Sequence, residues 1–210
     1  MTRQFFASLS CLAIGVLSCG HFSLPLSDEL PPVSLASSAQ VPLASARLGV
    51  EAHTADPMVD RAIRYLEERR SGLGEAEIAG VATTIVREAK IHGIDPNLVL
   101  AVIHIESRGN TFALSPVGAM GMMQIMPPTG EELATKLDIP WHGAQTLFDP
   151  QVNVRMGVTY LKQLESRYGN MKTALAAYNW GPGRIDSKIR RGVAVPASYS
   201  GSVLATYRAP

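Results

Sequence analysis

The residues that could carry out chemistry form three short clusters. The first is Glu106-Ser107, which follows the apolar run Leu98–Ile105. The second is Gly121–Thr129, with Gln124 inside it, and the third is Ala177–Gly183. A carboxyl group held against apolar neighbours tends to keep its proton, because loss of solvent disfavours the charged form. Such a group can donate a proton to a glycosidic oxygen, so the clusters indicate a sugar-cleaving site.

Glu106 has a simpler alternative interpretation as a surface residue at the end of a helix. Two features oppose it. The preceding helix is almost entirely apolar, which predicts a central position in the fold. In addition, Val102 and Asn110, at a spacing of four residues, offer no cationic partner.

A second carboxylate is missing from the three clusters, although glycosidases commonly use two. Glu131, Glu132 and Asp149 are the nearby acidic residues. All three are expected at helix starts, where acidic side chains are favoured by the helix dipole. Glu106 is therefore the one acid that the sequence assigns to chemistry.

Apolar spacing predicts a mainly α fold with at most a small β-hairpin, in residues 108–120. Asp95 and Asp149 are expected N-caps, each followed by proline, and Thr129 with Glu132 reads as a capping box. The predicted helices start at Pro57 and then cover about 75–92, 96–107, 121–126, 129–137, 150–168 and 171–180, with an interruption at 181–183 and a last helix from Pro196.

The N-terminal segment predicts export. Arg3 precedes an apolar run, residues 5–17, that is too short to span a membrane, so residues 1–19 read as a signal peptide. Cys19 follows a lipobox-like stretch and is expected to carry a lipid; the alternative is ordinary cleavage near residues 18–20. Residues 20–56 are rich in Ser, Ala and Pro and predict a flexible tether, or else an extension packed on the domain 57–210.

Composition argues against several other classes of protein. The net charge of the 210 residues is only +1 and no basic stripe is present, so we expect no nucleic-acid partner. The five histidines show no metal-ligand spacing, so we expect neither a metal nor another cofactor.

The clusters together resemble the lytic transglycosylases of the soluble type, glycoside hydrolase family 23. Glu106-Ser107, Ser115–Pro127, Leu147–Pro150 with Asn153, and Ala176–Gly183 match the family motifs in order. Tyr199, with Val203 four residues later, falls where the family has an active-site tyrosine. The resemblance implies a lysozyme-like fold, with Glu106 catalytic. It also implies a set of substrate-binding residues, namely Ser115, Met123, Gln124, Tyr178, Asn179 and Tyr199.

This resemblance implies cleavage of peptidoglycan between N-acetylmuramic acid and N-acetylglucosamine without water. Glu106 would act first as acid and then as base, and the muramic 6-hydroxyl would attack. The alternatives are a hydrolase of goose-type lysozyme character and a non-catalytic wall-binding assembly factor. The expected location is the periplasm, with anchoring to the outer membrane through Cys19. Partners are glycan strands, the membrane and, as an open question, a secretion apparatus or appendage.

Overall fold

The computed structural model of the chain describes residues 56–69 and 71–208. These residues form eight α-helices and one short 3-10 helix, with isolated β-bridges in place of strands. The prediction of a mainly α fold is confirmed. The predicted signal peptide, which includes Cys19, lies outside the described residues. So does the predicted tether, apart from Asp56. The helices are α1 Pro57–Glu68, α2 Glu75–His92, α3 Pro96–Ser107, α4 Pro127–Leu137, α5 Pro150–Tyr168, α6 Met171–Trp180, α7 Pro182–Arg190 and α8 Ser198–Arg208, with the 3-10 helix at Ala144–Phe148.

Helix α3 occupies the centre of the core. Six consecutive residues, 98–103, are buried and apolar. A helix that is apolar on all sides must be enclosed by others. It contacts α1, α2 and α8, while α5 packs on both α2 and α6. A smaller apolar cluster joins α4 and the 3-10 helix to α5 through Leu133, Leu147 and Met156.

Helix boundaries follow the capping chemistry at several sites. The side chain of Asp95 accepts a hydrogen bond from the amide of Asn97, and that of Asp149 accepts from the amides of Gln151 and Val152. Proline follows each cap, where its missing N–H costs nothing. These two caps confirm the predicted starts of α3 and α5. The end of α3 at Ser107 also matches the prediction.

Three predictions about local structure are wrong. Residues 121–126 form turns and a β-bridge between Met120 and Ile125 instead of a short helix. Helix α4 starts at Pro127 after Met126, so Thr129 lies inside it and forms no capping box. Proline at the first position also starts α7 directly after Gly181, although Gly181-Pro182-Gly183 was read only as an interruption.

Candidate active site

Glu106 lies one residue before the C-terminal end of α3, and its side chain is partly buried. Burial raises the pKa of the Glu106 carboxyl to about 7, and a hydrogen bond from Tyr199 opposes part of that rise. Tyr199 is on α8, which packs against α3, and its hydroxyl donates to Glu106 Oε1. The carboxyl group is therefore protonated in a large fraction of the molecules at neutral pH, as a general acid requires.

Ser107 joins the end of α3 to the second cluster. Its Oγ donates to the carbonyl oxygen of Met122 over 2.7 Å and accepts from the amide of Gly109 over 3.1 Å. These contacts fix the position of residues 120–125 relative to the end of α3. The neighbour of the candidate acid thus has a structural role in this arrangement.

The turn at residues 121–125 is built around Asn153, a fully buried residue of α5. Its Oδ1 accepts from the amide of Met123 over 2.7 Å. Its Nδ2 donates to the carbonyls of Met120 and Leu147, each over 2.9 Å. Gly121, with a φ of 78°, passes so close that an added Cβ would lie 2.3 Å from Nδ2. Asn153 therefore explains both the irregular backbone and the glycine.

Asn153 was part of a family-like motif, but the sequence assigned it no function. The one signal that could have found it is its position among apolar neighbours, since Val154, Gly157 and Val158 are buried with it on α5. A polar residue on a buried face must satisfy its hydrogen bonds there.

Tyr178, in the third cluster, lies close enough to Glu106 to be affected by its charge. Its hydroxyl donates to the carbonyl of Met123 over 2.8 Å, and its ring packs on Tyr160 with centroids 5.4 Å apart. Burial, together with the nearby charge of Glu106, raises the pKa of the Tyr178 phenol well above 10. Tyr178 therefore remains a neutral donor at physiological pH.

A cleft of about 310 Å³ opens beside Tyr178. Its walls offer amide and aromatic groups, which suit sugar hydroxyls and sugar faces. Asn179 is exposed, and Trp180 is 39% exposed, with Arg184 Cζ 5.2 Å from the centroid of its ring. Glu106 is not among the residues that line this cleft, but its charge reaches Tyr178, which is. The lining residues are Gln124, Ile125, Met126, Thr129, Tyr160, Tyr178, Asn179, Trp180, Gly181 and Pro182.

Two predicted substrate-binding residues, Gln124 and Ser115, already form hydrogen bonds between their side chains and the backbone. Gln124 has a φ of 51°, and its Nε2 donates to the carbonyls of Ala113 and Gly121. Ser115 Oγ accepts from the amide of Ala119 over 2.9 Å, in a turn, and forms no hydrogen bond with Glu106. Gln124 lines the cleft all the same. Substrate contact by either side chain stays a prediction.

The expectation for Met123 needs correction. Its side chain is fully buried and packs so tightly on α5 that a Cβ on Gly157 would lie 2.4 Å from its sulfur. No surface remains for a substrate. Met126 is 40% exposed and lines the cleft, so it replaces Met123 as the methionine of the wall.

The described residues show no cluster of three or more His, Asp or Glu side chains that could hold a metal ion. They also contain no helix long and apolar enough to cross a membrane.

Comparison with known proteins places this geometry in a family. The model of the transglycosylase SLT domain matches residues 83–198, which is more than half of the chain and includes Glu106, the turn around Asn153 and Tyr178. The chain belongs to the transglycosylase SLT domain family. Tyr207, at the end of α8, and all of α1 lie outside the matched SLT domain.

Two relatives in this SLT family show the range of its members. The chain is 36% identical over 119 residues to a transglycosylase of Enterobacteria phage PRD1, an alignment that covers 50% of this chain and 42% of the phage protein. It is 39% identical over 94 residues to the soluble lytic murein transglycosylase of Salmonella typhimurium, covering 44% of this chain and 15% of that protein. The chain thus spans less than half the length of these relatives.

The solved structure of the 70 kDa soluble lytic transglycosylase from Escherichia coli supports the SLT fold. It superposes with a TM-score of 0.56 at 25% identity, over 71% of this chain and 29% of the Escherichia coli chain.

Proposed function

We propose that this protein is a peptidoglycan lytic transglycosylase, which cuts between N-acetylmuramic acid and N-acetylglucosamine and leaves 1,6-anhydromuramoyl ends. The single observation that carries the proposal is the environment of Glu106. Its carboxyl group is partly buried, has a pKa raised to about 7 and accepts a hydrogen bond from Tyr199. Burial is the main cause of the raised pKa, and the hydrogen bond from Tyr199 opposes it.

The chemistry needs one acid that becomes a base. Glu106 donates its proton to the glycosidic oxygen as the bond from that oxygen to the muramic C1 breaks. The N-acetyl carbonyl of the same sugar shields C1. The Glu106 carboxylate then removes the proton from the 6-hydroxyl as O6 bonds to C1, so the reaction consumes no water. Tyr199 stabilises the carboxylate between the two steps by its hydrogen bond.

The cleft gives the remaining predicted residues their proposed roles. The side-chain amide of Asn179 and the amide oxygen of Gln124 suit sugar hydroxyls and acetamido groups. Tyr178 lines the cleft and donates a hydrogen bond to the Met123 carbonyl, which holds the turn at residues 121–125 against α6. Ser115 orders the turn at residues 115–119, which follows Ala113, the residue whose carbonyl accepts from Gln124.

The proposed location is the periplasm, because relatives in the family are murein transglycosylases and the N-terminal sequence reads as an export signal. Lipidation of Cys19, a tether over residues 20–56 and anchoring to the outer membrane belong to the same proposal. Work for general wall turnover and work for a secretion apparatus are both consistent with it.

Product analysis tests the proposal directly. Intact sacculi are digested in water labelled with heavy oxygen, and the new muramic ends are examined by mass spectrometry. We expect anhydro ends without label, whereas label at most new ends would identify a hydrolase.

Glu106→Gln completes the test because it keeps the side-chain shape and removes the titrating group. We expect no release of muropeptides from this variant. Glu131→Gln, an exposed residue of α4, is the matched control and should retain full activity. Release at the wild-type rate by Glu106→Gln would contradict the mechanism.

A further inference from the structure

A second cavity lies away from the candidate active site. It measures about 600 Å³ and is formed by α1, α3 and α8. None of the predicted substrate-binding residues lines it. We call it the basic pocket, and its lining residues are Arg61, Arg64, Tyr65, Glu68, Arg69, Asn97, Leu100, Ala101, His104, Thr206 and Tyr207.

The basic pocket and the candidate acid lie on different sides of α3. His104 lines the pocket and precedes Glu106 by two residues. Successive residues of an α-helix are turned by about 100°, so these two side chains leave the helix roughly 200° apart. A ligand in the pocket would therefore leave Glu106 and its cleft free.

The arginines of the pocket are available to a ligand. Arg61, Arg64 and Arg69 are exposed, and none of them forms an ion pair with a described residue. Glu68 is the one acidic residue in the lining. The pocket therefore carries an excess of two positive charges beside a single carboxylate.

Aromatic side chains form one wall and hold part of the charge in place. Arg69 Cζ lies 5.6 Å from the centroid of the Tyr65 ring, and the Tyr65 hydroxyl is 3.4 Å from His104 Nδ1. Burial, with the charges of Arg69 and Arg108, lowers the pKa of His104, so the imidazole is neutral at neutral pH. A guanidinium held on a ring loses less freedom when it binds a carboxylate.

Asp95 lies at the edge of this arrangement. Its Oδ2 accepts from the hydroxyl of Tyr207 over 2.8 Å, and the charge of Arg61 contributes to lowering its pKa. Burial works in the opposite direction but is outweighed by the hydrogen bonds from Tyr207 and Asn97. Asp95 lies outside the lining, and counting it lowers the excess of positive charge from two to one.

We propose that the basic pocket binds the acidic peptide stem of a peptidoglycan strand and so holds the enzyme on the wall. Guanidinium groups match carboxylates in paired hydrogen bonds. Glu68 would repel any anionic group but would attract the amine of a diamino acid, so a ligand that carries an amine beside its carboxylates fits the pocket better than a phosphate group does. This inference rests on the proposed function and adds a second contact with the same polymer.

The test uses the full chain with Glu106→Gln, which stops cleavage, and measures affinity for soluble glycan strands with stems and for strands stripped of stems by an amidase. We expect Arg61→Gln/Arg64→Gln to weaken binding of the stem-bearing strands about tenfold. Binding of stripped strands should stay within twofold. Both positions are exposed on a helix, where Gln is well tolerated, and thermal unfolding checks the fold.

The matched control is Lys172→Gln/Arg190→Gln, which removes the same charge from exposed positions outside the pocket. Its affinity for stem-bearing strands should change less than twofold. An equal loss in both double variants would show general charge attraction and would overturn the proposal. So would an equal loss on stripped strands, or displacement of strands by inorganic phosphate but not by a free stem peptide.

Failure of the proposed function would look different. Product analysis of the unsubstituted chain reports on cleavage, whereas the double variants report on binding alone. Anhydro products together with unchanged affinities would refute the pocket and leave the enzyme assignment standing. Stem-dependent affinity without anhydro products would do the reverse.

Discussion

The two carboxyl groups at the ends of α3 show how environment sets proton affinity. Asp95 caps the helix, and hydrogen bonds from Tyr207 and Asn97 lower its pKa despite the opposing effect of burial. Glu106, at the other end, has burial as its main influence, and its pKa rises to about 7. Asp95 therefore stabilises the helix as an anion, while Glu106 is suited to give up a proton.

The raised pKa of Glu106 predicts a specific loss of stability as pH increases. Below pH 4.5 the carboxyl is protonated in both the folded and the unfolded chain. Between pH 4.5 and 7 the unfolded chain loses this proton first, so unfolding becomes easier. The full effect, reached above pH 7, is about 3 kcal/mol.

Glu106→Gln cannot titrate and should lack this slope. We expect its free energy of unfolding to exceed that of the wild type progressively between pH 4.5 and 8, as measured by urea denaturation. Glu131→Gln serves as the control and should follow the wild type. A constant difference between Glu106→Gln and wild type across this range would show that the carboxyl titrates normally.

At the scale of elements, the turn at residues 121–125 depends on a single side chain of α5. Asn153→Ala would leave the amide of Met123 and the carbonyls of Met120 and Leu147 without their partner in a buried place. Unsatisfied buried groups cost about 1–3 kcal/mol each, so we expect a loss of at least about 3 kcal/mol. For a domain of this size the melting temperature should fall by roughly 6–12 °C.

Asn110→Ala is the matched control for this prediction. Its side chain accepts a single hydrogen bond, from the amide of Phe112, at an exposed position. We expect a loss below about 1 kcal/mol. Scanning calorimetry measures the melting temperature of both variants. If Asn153→Ala melted within about 2 °C of the wild type, the turn would have another source of order.

Elements that end in local capping chemistry were predictable from the sequence. The starts of α3 and α5 follow from Asp95 and Asp149, each before a proline, and the end of α5 follows from Gly169, whose φ is 71°. The turn at 121–125 was not predictable, because Asn153 lies about thirty residues away in sequence and overrides the local helical pattern. Helix α7 was missed because Pro182 marks its start as well as the end of α6.

The candidate site was predictable where a resemblance in motifs supplied the positions. The hydroxyl of Tyr199 does contact the carboxyl of Glu106, although the two residues are 93 positions apart in the sequence. Burial of Met123 was not readable, since exposure depends on the approach of Gly157 from α5. The basic pocket could not be predicted from the sequence either. Its arginines at α1 and Tyr207 on α8 are brought together only because both helices pack on α3.

At the scale of the whole molecule, the proposed cleavage of an insoluble wall would gain from attachments that keep the protein close to it. The basic pocket would provide one attachment, and a lipid on Cys19 would provide another at the membrane. Two weak attachments on one chain raise the local concentration of substrate more than either does alone.

The prediction for Cys19 follows from its position after an apolar run and before Gly20. We expect the wild type to take up a fatty-acid probe and to fractionate with the outer membrane, because Gly20 after the cysteine, in place of an acidic residue, resembles bacterial lipoproteins sorted to that membrane. Cys19→Ala should lose the label and appear in the soluble periplasmic fraction or remain unprocessed. Cys11→Ala, the matched control at the only other cysteine, should keep both the label and the location. A wild-type protein that is unlabelled and already soluble would instead establish ordinary cleavage near residues 18–20, and attachment to the wall would then depend on the folded domain.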